Sequence, residues 1–261
     1  MEMPMKRTRF AGKKHTPLVL GRMPRSTETL RQKTLVKLRE AIVSGQFKPD
    51  DRLVERDICA KTGVSRSSVR EALRYLESEG LVESRGTKGM FVVNLSSAEA
   101  MEIYELRKAV EADAAIHFAE RASAEDIRQL AEIFATIKVA AVSDADRYWR
   151  QTDLLFDLMM RGARNAVAYG LMTSLRTRIR YLRSTTTRFA TPEYRQGTVE
   201  YLAGLTDALV RREGQLAAAR VRTFVERSAR FAAECLAHRD EVRSAERRRP
   251  DRSDARNAAA R

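Results

Sequence analysis

From Glu28 to Ser44, Leu30, Leu35, Leu38 and Ile42 recur at helical spacing, with Val36 and Val43 beside them, and Gly45 stops the pattern. A short helix is predicted from Val54 to Thr62, closed by Gly63. Val64-Ser65 then leads into a third helix, predicted from Arg66 to Glu79 and ended by Gly80. There Val69, Ala72, Leu73 and Leu76 share one apolar face, and Ser65 is placed to cap the first turn, with Ser68 three residues on. Leu81–Arg85 and Met90–Val93 are short β-prone runs joined by Gly86-Thr87-Lys88-Gly89, a hairpin connection with glycine at both ends. Three helices followed by a β-hairpin predict a winged helix-turn-helix over residues 27–95.

After Leu95 the pattern is helical throughout. Ser96-x-x-Glu99 forms a capping box for a helix to about Arg121, and Ser123-x-x-Asp126 starts another, to about Val142. Ala145 to Arg161 and Asn165 to about Thr187 follow; Thr191-Pro192-Glu193 begins the next, with proline at the first helical position. Gly214 marks a break before a last helix, about Gln215 to Arg239. Six helices with short connections predict an all-α bundle over residues 96–239. The fold class expected is therefore mainly α, a winged helix-turn-helix followed by a helical bundle. Residues 1–26, broken by Pro4, Gly12, Pro17, Gly21 and Pro24, read as a flexible basic arm. Residues 240–261, charged and poor in large apolar groups, read as a disordered tail.

Charge adds a partner to this picture. The 261 residues are 43% hydrophobic and 32% charged, with a net charge of +14. The surplus is uneven: residues 1–27 carry seven Lys or Arg against one acid. A positive field at the front of the chain attracts an anionic polymer, although basic ends also serve solubility alone. Cys59 and Cys235 stand in no metal or CxxC spacing, which fits a reduced, cytoplasmic setting. No apolar run approaches the ~20 residues of a membrane span, and no secretory leader is expected. With no nucleophile–base arrangement, no Gly-rich phosphate loop and three scattered histidines, the sequence offers no catalytic residue and no cofactor site.

The third helix carries the chemistry for reading double-stranded DNA. A helix-turn-helix lays its second helix in the major groove, with N-terminal side chains on base edges. Residues 65–70 read Ser-Arg-Ser-Ser-Val-Arg. Val69 turns inward, leaving Arg66, Ser67 and Arg70 to point out; the arginine fork suits guanine O6 and N7. The hydroxyls of Ser65, Ser67 and Ser68 suit phosphates or bases, Arg56 is placed for backbone phosphate, and Lys88 and Gly89 in the wing for phosphate or the minor groove. Against this stands a solvated basic face on an ordinary helix.

Residues 30–95 resemble the DNA-binding domain of the GntR regulators. The resemblance is carried by Leu38-Arg39-Glu40-Ala41-Ile42-Val43-Ser44-Gly45, by Arg52-Leu53-Val54-Glu55-Arg56, and by the run from Thr62 to Leu73; Leu76-Glu77 and Glu79-Gly80-Leu81-Val82 add to it. It implies a homodimer on a roughly palindromic operator, with Arg56, Arg66, Ser67, Ser68, Arg70 and Gly89 at DNA-contacting positions. Pro49-Asp50-Asp51 departs from the family, which usually has Pro-Gly there.

Residues 96–238 are similar to the FadR-type effector (FCD) domain through Glu105-Leu106-Arg107, Glu111, Ala114-Ala115, Asp153, Phe156, Asn165 and Arg212-Glu213. Many such domains hold a divalent metal on one Asp and three His. Here the Asp position is Asp153, but the His positions fall on Asp157, on Leu202 or Tyr201, and on Phe224, so the metal site is expected to be lost. An organic or acyl acid is the expected effector, in the bundle interior, with Arg107 as its anchor. The alternative for Arg107 is a structural pair with Glu111 one turn on. Asp153, Asp157 and Phe224 complete the candidate pocket, with Arg150, Asn165, Arg180 and Tyr201 as weaker members. Trp149, Phe156, Met159, Met160 and Met172 read as core rather than as a cofactor box. Repression is favoured over activation; the competing reading is an architectural DNA binder whose helical domain only dimerises.

Overall fold

The computed structural model describes residues 30–248; the arm read at 1–26 and residues 249–261 lie outside the described residues. The first part packs α1 (Leu30–Val43), α2 (Glu55–Thr62) and α3 (Arg66–Ser78) around Leu38, Ile42, Ile58, Val69, Leu73 and Leu76, all buried. A three-stranded antiparallel sheet closes it, built from β1 (Arg52–Leu53), β2 (Val82–Ser84) and β3 (Met90–Val92) in the order β1-β3-β2. In it Val82 pairs with Val92 and Ser84 with Met90, the hairpin expected of a wing. Strand β1, where Arg52 pairs with Phe91 and Leu53 with Met90, is not predicted by the local pattern. Two residues are too few to show alternation, so this strand exists only through its partner.

Asp50, beside that strand, stands where the resemblance expects glycine. It adopts φ +70°, a region glycine favours. Its carboxylate accepts hydrogen bonds from the Arg85 guanidinium and from Asn94 Nδ2 at 3.0 Å, which offsets the backbone cost.

The second part holds α4 (Ser97–Arg121), α5 (Ala124–Ser143), α6 (Ala145–Gly162), α7 (Ala166–Thr186), α8 (Pro192–Val210) and α9 (Gly214–Arg248). Both predicted capping boxes form, at Ser96/Glu99 and Ser123/Asp126, and Thr191 caps α8 ahead of Pro192. Helix α4 runs along α9, while α5 packs on α6 and α8, burying Phe118, Leu130, Ile137, Tyr148, Leu155, Leu205 and Val221. Each large aliphatic or aromatic side chain so buried contributes about 1.5–3 kcal/mol. Residues 30–248 thus form a winged helix-turn-helix followed by an all-α domain.

Two boundaries differ from expectation. The break before α9 is made at Arg212, which takes φ +59° and donates to the carbonyls of Ala119 and Ala122 at the end of α4. Gly214 instead begins α9, where a Cβ would come 3.2 Å from Ile116 Cα. The last helix also continues past Arg239 to Arg248, so the first part of the tail read as disordered is helical; Ala, Glu and Arg there all favour helix.

Backbone carbonyls of the connection tie the two parts together. Tyr181 Oη of α7 donates to Val93 O at 2.6 Å, and Arg239 Nη2 of α9 donates to Leu95 O at 3.0 Å. Helix α1 packs on α7. Among the described residues, no helix is long and apolar enough to cross a membrane.

Candidate nucleic-acid interface and effector site

The first turn of α3 is built by Ser65. Its extended backbone (φ −63°, ψ 152°) turns Oγ back to accept from Ser68 N at 3.3 Å, and the same oxygen lies 3.0 Å from the hydroxyls of Ser67 and Ser68. All three hydroxyls thereby share in holding the turn, with Ser65 and Ser67 exposed and Ser68 half-buried. With Val69, Ala72, Leu73 and Leu76 buried, Arg66 and Arg70 face solvent. Arg66 and Arg70 thus present two cations at this helix start, where backbone N–H groups also favour an anion.

The candidate cations are held differently. The side chains of Arg66 and Lys88 make no hydrogen bond or ion pair among the described residues. Arg70 Nε and Nη2 each donate to the Glu55 carboxylate at 3.0 Å, although its side chain is 58% exposed. Hydrogen bonding from Arg70 holds the Glu55 carboxyl below its usual range, outweighing the opposing effect of burial. Among the described residues the Arg56 side chain pairs only with Asp57, at 3.5 Å, and it is 81% exposed. Lys88 stands exposed on a single 3-10 turn (Gly86–Lys88) bounded by Gly86 and Gly89, both at positive φ. The Arg52 guanidinium, which the sequence reading did not single out, lies beside Gly89 at the wing tip. Its signal was its position in β1, a strand visible only in three dimensions.

The candidate effector residues do not form one pocket. Arg107, 3% exposed, donates through Nε and Nη2 to Glu111 at 2.9 and 3.1 Å, which is the structural pair the sequence left open. Burial opposes the Arg107 charge, but the Glu111 carboxylate more than offsets it, so its pKa is raised. Asp153 is paired with Arg183 and lies 4.0 Å from Arg180; Asp157 is paired with Arg176, with Arg161 at 2.9 Å, and accepts from Tyr169 Oη at 3.2 Å. Phe224 stacks on Phe156 with centroids 5.0 Å apart, and Leu202 is fully buried. The space left among Arg107, Glu111, Asp153, Asp157 and their neighbours is about 40 Å³, room for a water but not for an acyl or aromatic acid. The expected apolar pocket in the bundle is thus filled by the protein's own side chains.

Asn165 and Tyr201 sit apart from that space. Asn165 caps α7, its Oδ1 accepting from Ala168 N at 3.0 Å. Tyr201 lies under the Arg227 guanidinium, 5.1 Å from the ring centroid. Arg176 and Arg183 were missed as partners of the acids. With Arg180 they fall at helical spacing on one side of α7, a stripe legible in the sequence once α6 is known to face it. Among the described residues, no three His, Cys, Asp or Glu side chains converge as a metal site.

Comparison with known proteins places this geometry. Residues 30–92 match the family described as "Bacterial regulatory proteins, gntR family", and residues 102–227 match the "FCD domain". The chain belongs to the GntR family and carries an FCD domain. The chain is 38% identical over 71 residues to the HTH-type transcriptional regulator YdhC of Bacillus subtilis, covering 27% of this chain and 32% of YdhC. It is 32% identical over 126 residues to the gluconate operon transcriptional repressor of Bacillus subtilis, covering 48% of this chain and 51% of the repressor. It spans about a third of the first relative's length and half of the second's. The crystal structure of a GntR protein from Rhodococcus sp. RHA1 superposes with a TM-score of 0.65 at 25% identity, covering 79% of this chain and 97% of that one.

Proposed function

We propose that this GntR/FCD protein is a ligand-responsive transcription regulator that binds a palindromic DNA operator as a homodimer and represses. The observation that carries the reading is the first turn of α3, where Arg66 stands exposed and unpaired beside Ser67 while the opposite face is packed away. A guanidinium free of internal partners at a helix N-terminus suits a guanine edge or a phosphate. Arg56, Lys88 and Gly89 extend the same surface to the backbone, and Arg70 joins it by exchanging Glu55 for DNA. Repression is supported by the gluconate operon repressor among the relatives.

The test is fluorescence anisotropy on the operator selected by this protein from random duplexes. Arg66→Ala is expected to weaken operator binding by ~1–3 kcal/mol, concentrated at particular base pairs. Undiminished, equally selective binding by the variant would overturn the reading.

The small cavity in the bundle favours a second reading, a DNA binder whose helical domain only dimerises. That protein would bind random and selected duplexes alike at fixed salt, whereas a regulator prefers its own site by ~10³ or more.

A further inference from the structure

We propose that the cleft between the winged head and the helical domain binds an organic monoanion, a single carboxylate on a flat or acyl body, and that this ligand bridges α1 to α6 and α7. The cleft holds about 380 Å³, within the range of small-molecule sites, against about 40 Å³ inside the bundle. Its walls come from Arg39 and Val43 of α1 with Ser44 just beyond it, Trp149 and Arg150 of α6, and Arg180 and Arg183 of α7.

The state of each charge decides what fits. Arg39 is committed to Glu79 by two hydrogen bonds, and Arg183 to Asp153. The Arg150 side chain makes no hydrogen bond or ion pair among the described residues, and Arg180 reaches only to 4.0 Å from Asp153. Two guanidiniums therefore remain for an incoming carboxylate, the group their forks match best. Glu40 and Asp146 also border the cleft, both exposed. They repel any additional negative charge, which selects a monoanion over sulfate, citrate or a nucleotide. Val43 and the half-buried indole of Trp149 supply an apolar wall for the body of the ligand.

The location gives the ligand leverage. Helix α7, which carries Arg180, also carries Tyr181, whose hydroxyl holds Val93 at the end of the wing. A molecule held between α1 and α7 binds one placement of the head better than others, which is what coupling to DNA requires. That last step rests on the regulator reading; the binding step does not.

Trp149 is the only tryptophan in the chain, so its emission reports on the cleft directly. The full chain would be titrated with benzoate, phenylacetate and octanoate, with sulfate and citrate as controls. A saturable change in Trp149 emission is expected from at least one of the three acids, and none from the controls. Arg150→Ala with Arg180→Ala, both at exposed positions, should weaken that response about tenfold while circular dichroism stays unchanged. The single variants Arg150→Gln and Arg180→Gln provide the same comparison if the pair folds poorly. No saturable response to any of the three acids, or an undiminished response in the folded variants, overturns the proposal. Failure of the DNA reading would show separately, as unimpaired operator binding by Arg66→Ala.

Discussion

Glu111→Ala would strand the Arg107 guanidinium in a site that is 3% exposed and hemmed by the Tyr104 and Phe156 rings at 5.4 and 5.9 Å. Removing one member of a buried ion pair costs about 3–5 kcal/mol, because the remaining charge has neither water nor partner. Replacing both, Arg107→Met with Glu111→Leu, removes the desolvation penalty along with the attraction and should leave stability near the parent value. Urea unfolding of the single and double variants checks this; equal losses in both would mean the pair is not the source. The same two residues mark how far the sequence reached into the site. The i, i+4 spacing of Arg107 and Glu111 was visible, but whether the guanidinium pairs at home or waits for a ligand depends on burial by α6 and α9. Asp153 and Asp157 posed the same problem, since their cationic partners lie on the next helix. By contrast, the outward set of Arg66, Ser67 and Arg70 was legible, because an amphipathic helix fixes its own exposed face.

Helix boundaries followed local chemistry closely wherever a side chain caps its own turn. Ser65, Ser96, Ser123, Asn165 and Thr191 each accept from the backbone N–H three residues on. Where a boundary depends on a distant group, local reading failed: β1 needs β3, and the break at Arg212 needs the carbonyls of α4. The caps also make stability depend on pH. The backbone N–H and hydroxyl of Ser96 hold the Glu99 carboxyl below its ordinary 4.5, against the opposing effect of burial. At Asp126 burial is the largest influence and pushes upward, but the Ser123 N–H and hydroxyl, with Arg164, bring the carboxyl below 3.8. Both folded-state values are depressed, so the stabilisation is present above the unfolded values and is lost as pH falls through the folded ones. Glu99→Gln and Asp126→Asn should therefore lower Tm at neutral pH, with the gap from the parent closing as pH drops below about 4. A gap independent of pH in thermal melts would show that the charge of these carboxylates contributes nothing.

For the whole molecule the decisive feature is the joint. The winged head is small, and a domain of that size buries too little surface to be more than marginally stable alone. Here it is held through two carbonyls of the connecting chain, by Tyr181 at Val93 and Arg239 at Leu95, and through α1 on α7. Arg239 is itself 7% exposed, so its bond to Leu95 is sheltered from water. If these bonds couple the two parts, the parent should melt in one calorimetric transition. Tyr181→Phe combined with Arg239→Ala should split it, with the head unfolding at the lower temperature and its amides losing protection from hydrogen exchange first. The variant's head keeps its own core of Leu38, Ile42, Val69, Leu73 and Leu76, so DNA affinity below that first transition should be retained. What it should lose is any influence of a cleft ligand on that affinity, because α7 would no longer transmit a preference for one head placement. A single transition in the double variant would mean that apolar packing of α1 on α7 suffices to join the parts. The hydrogen bonds at Val93 and Leu95 would then position the connection without coupling it.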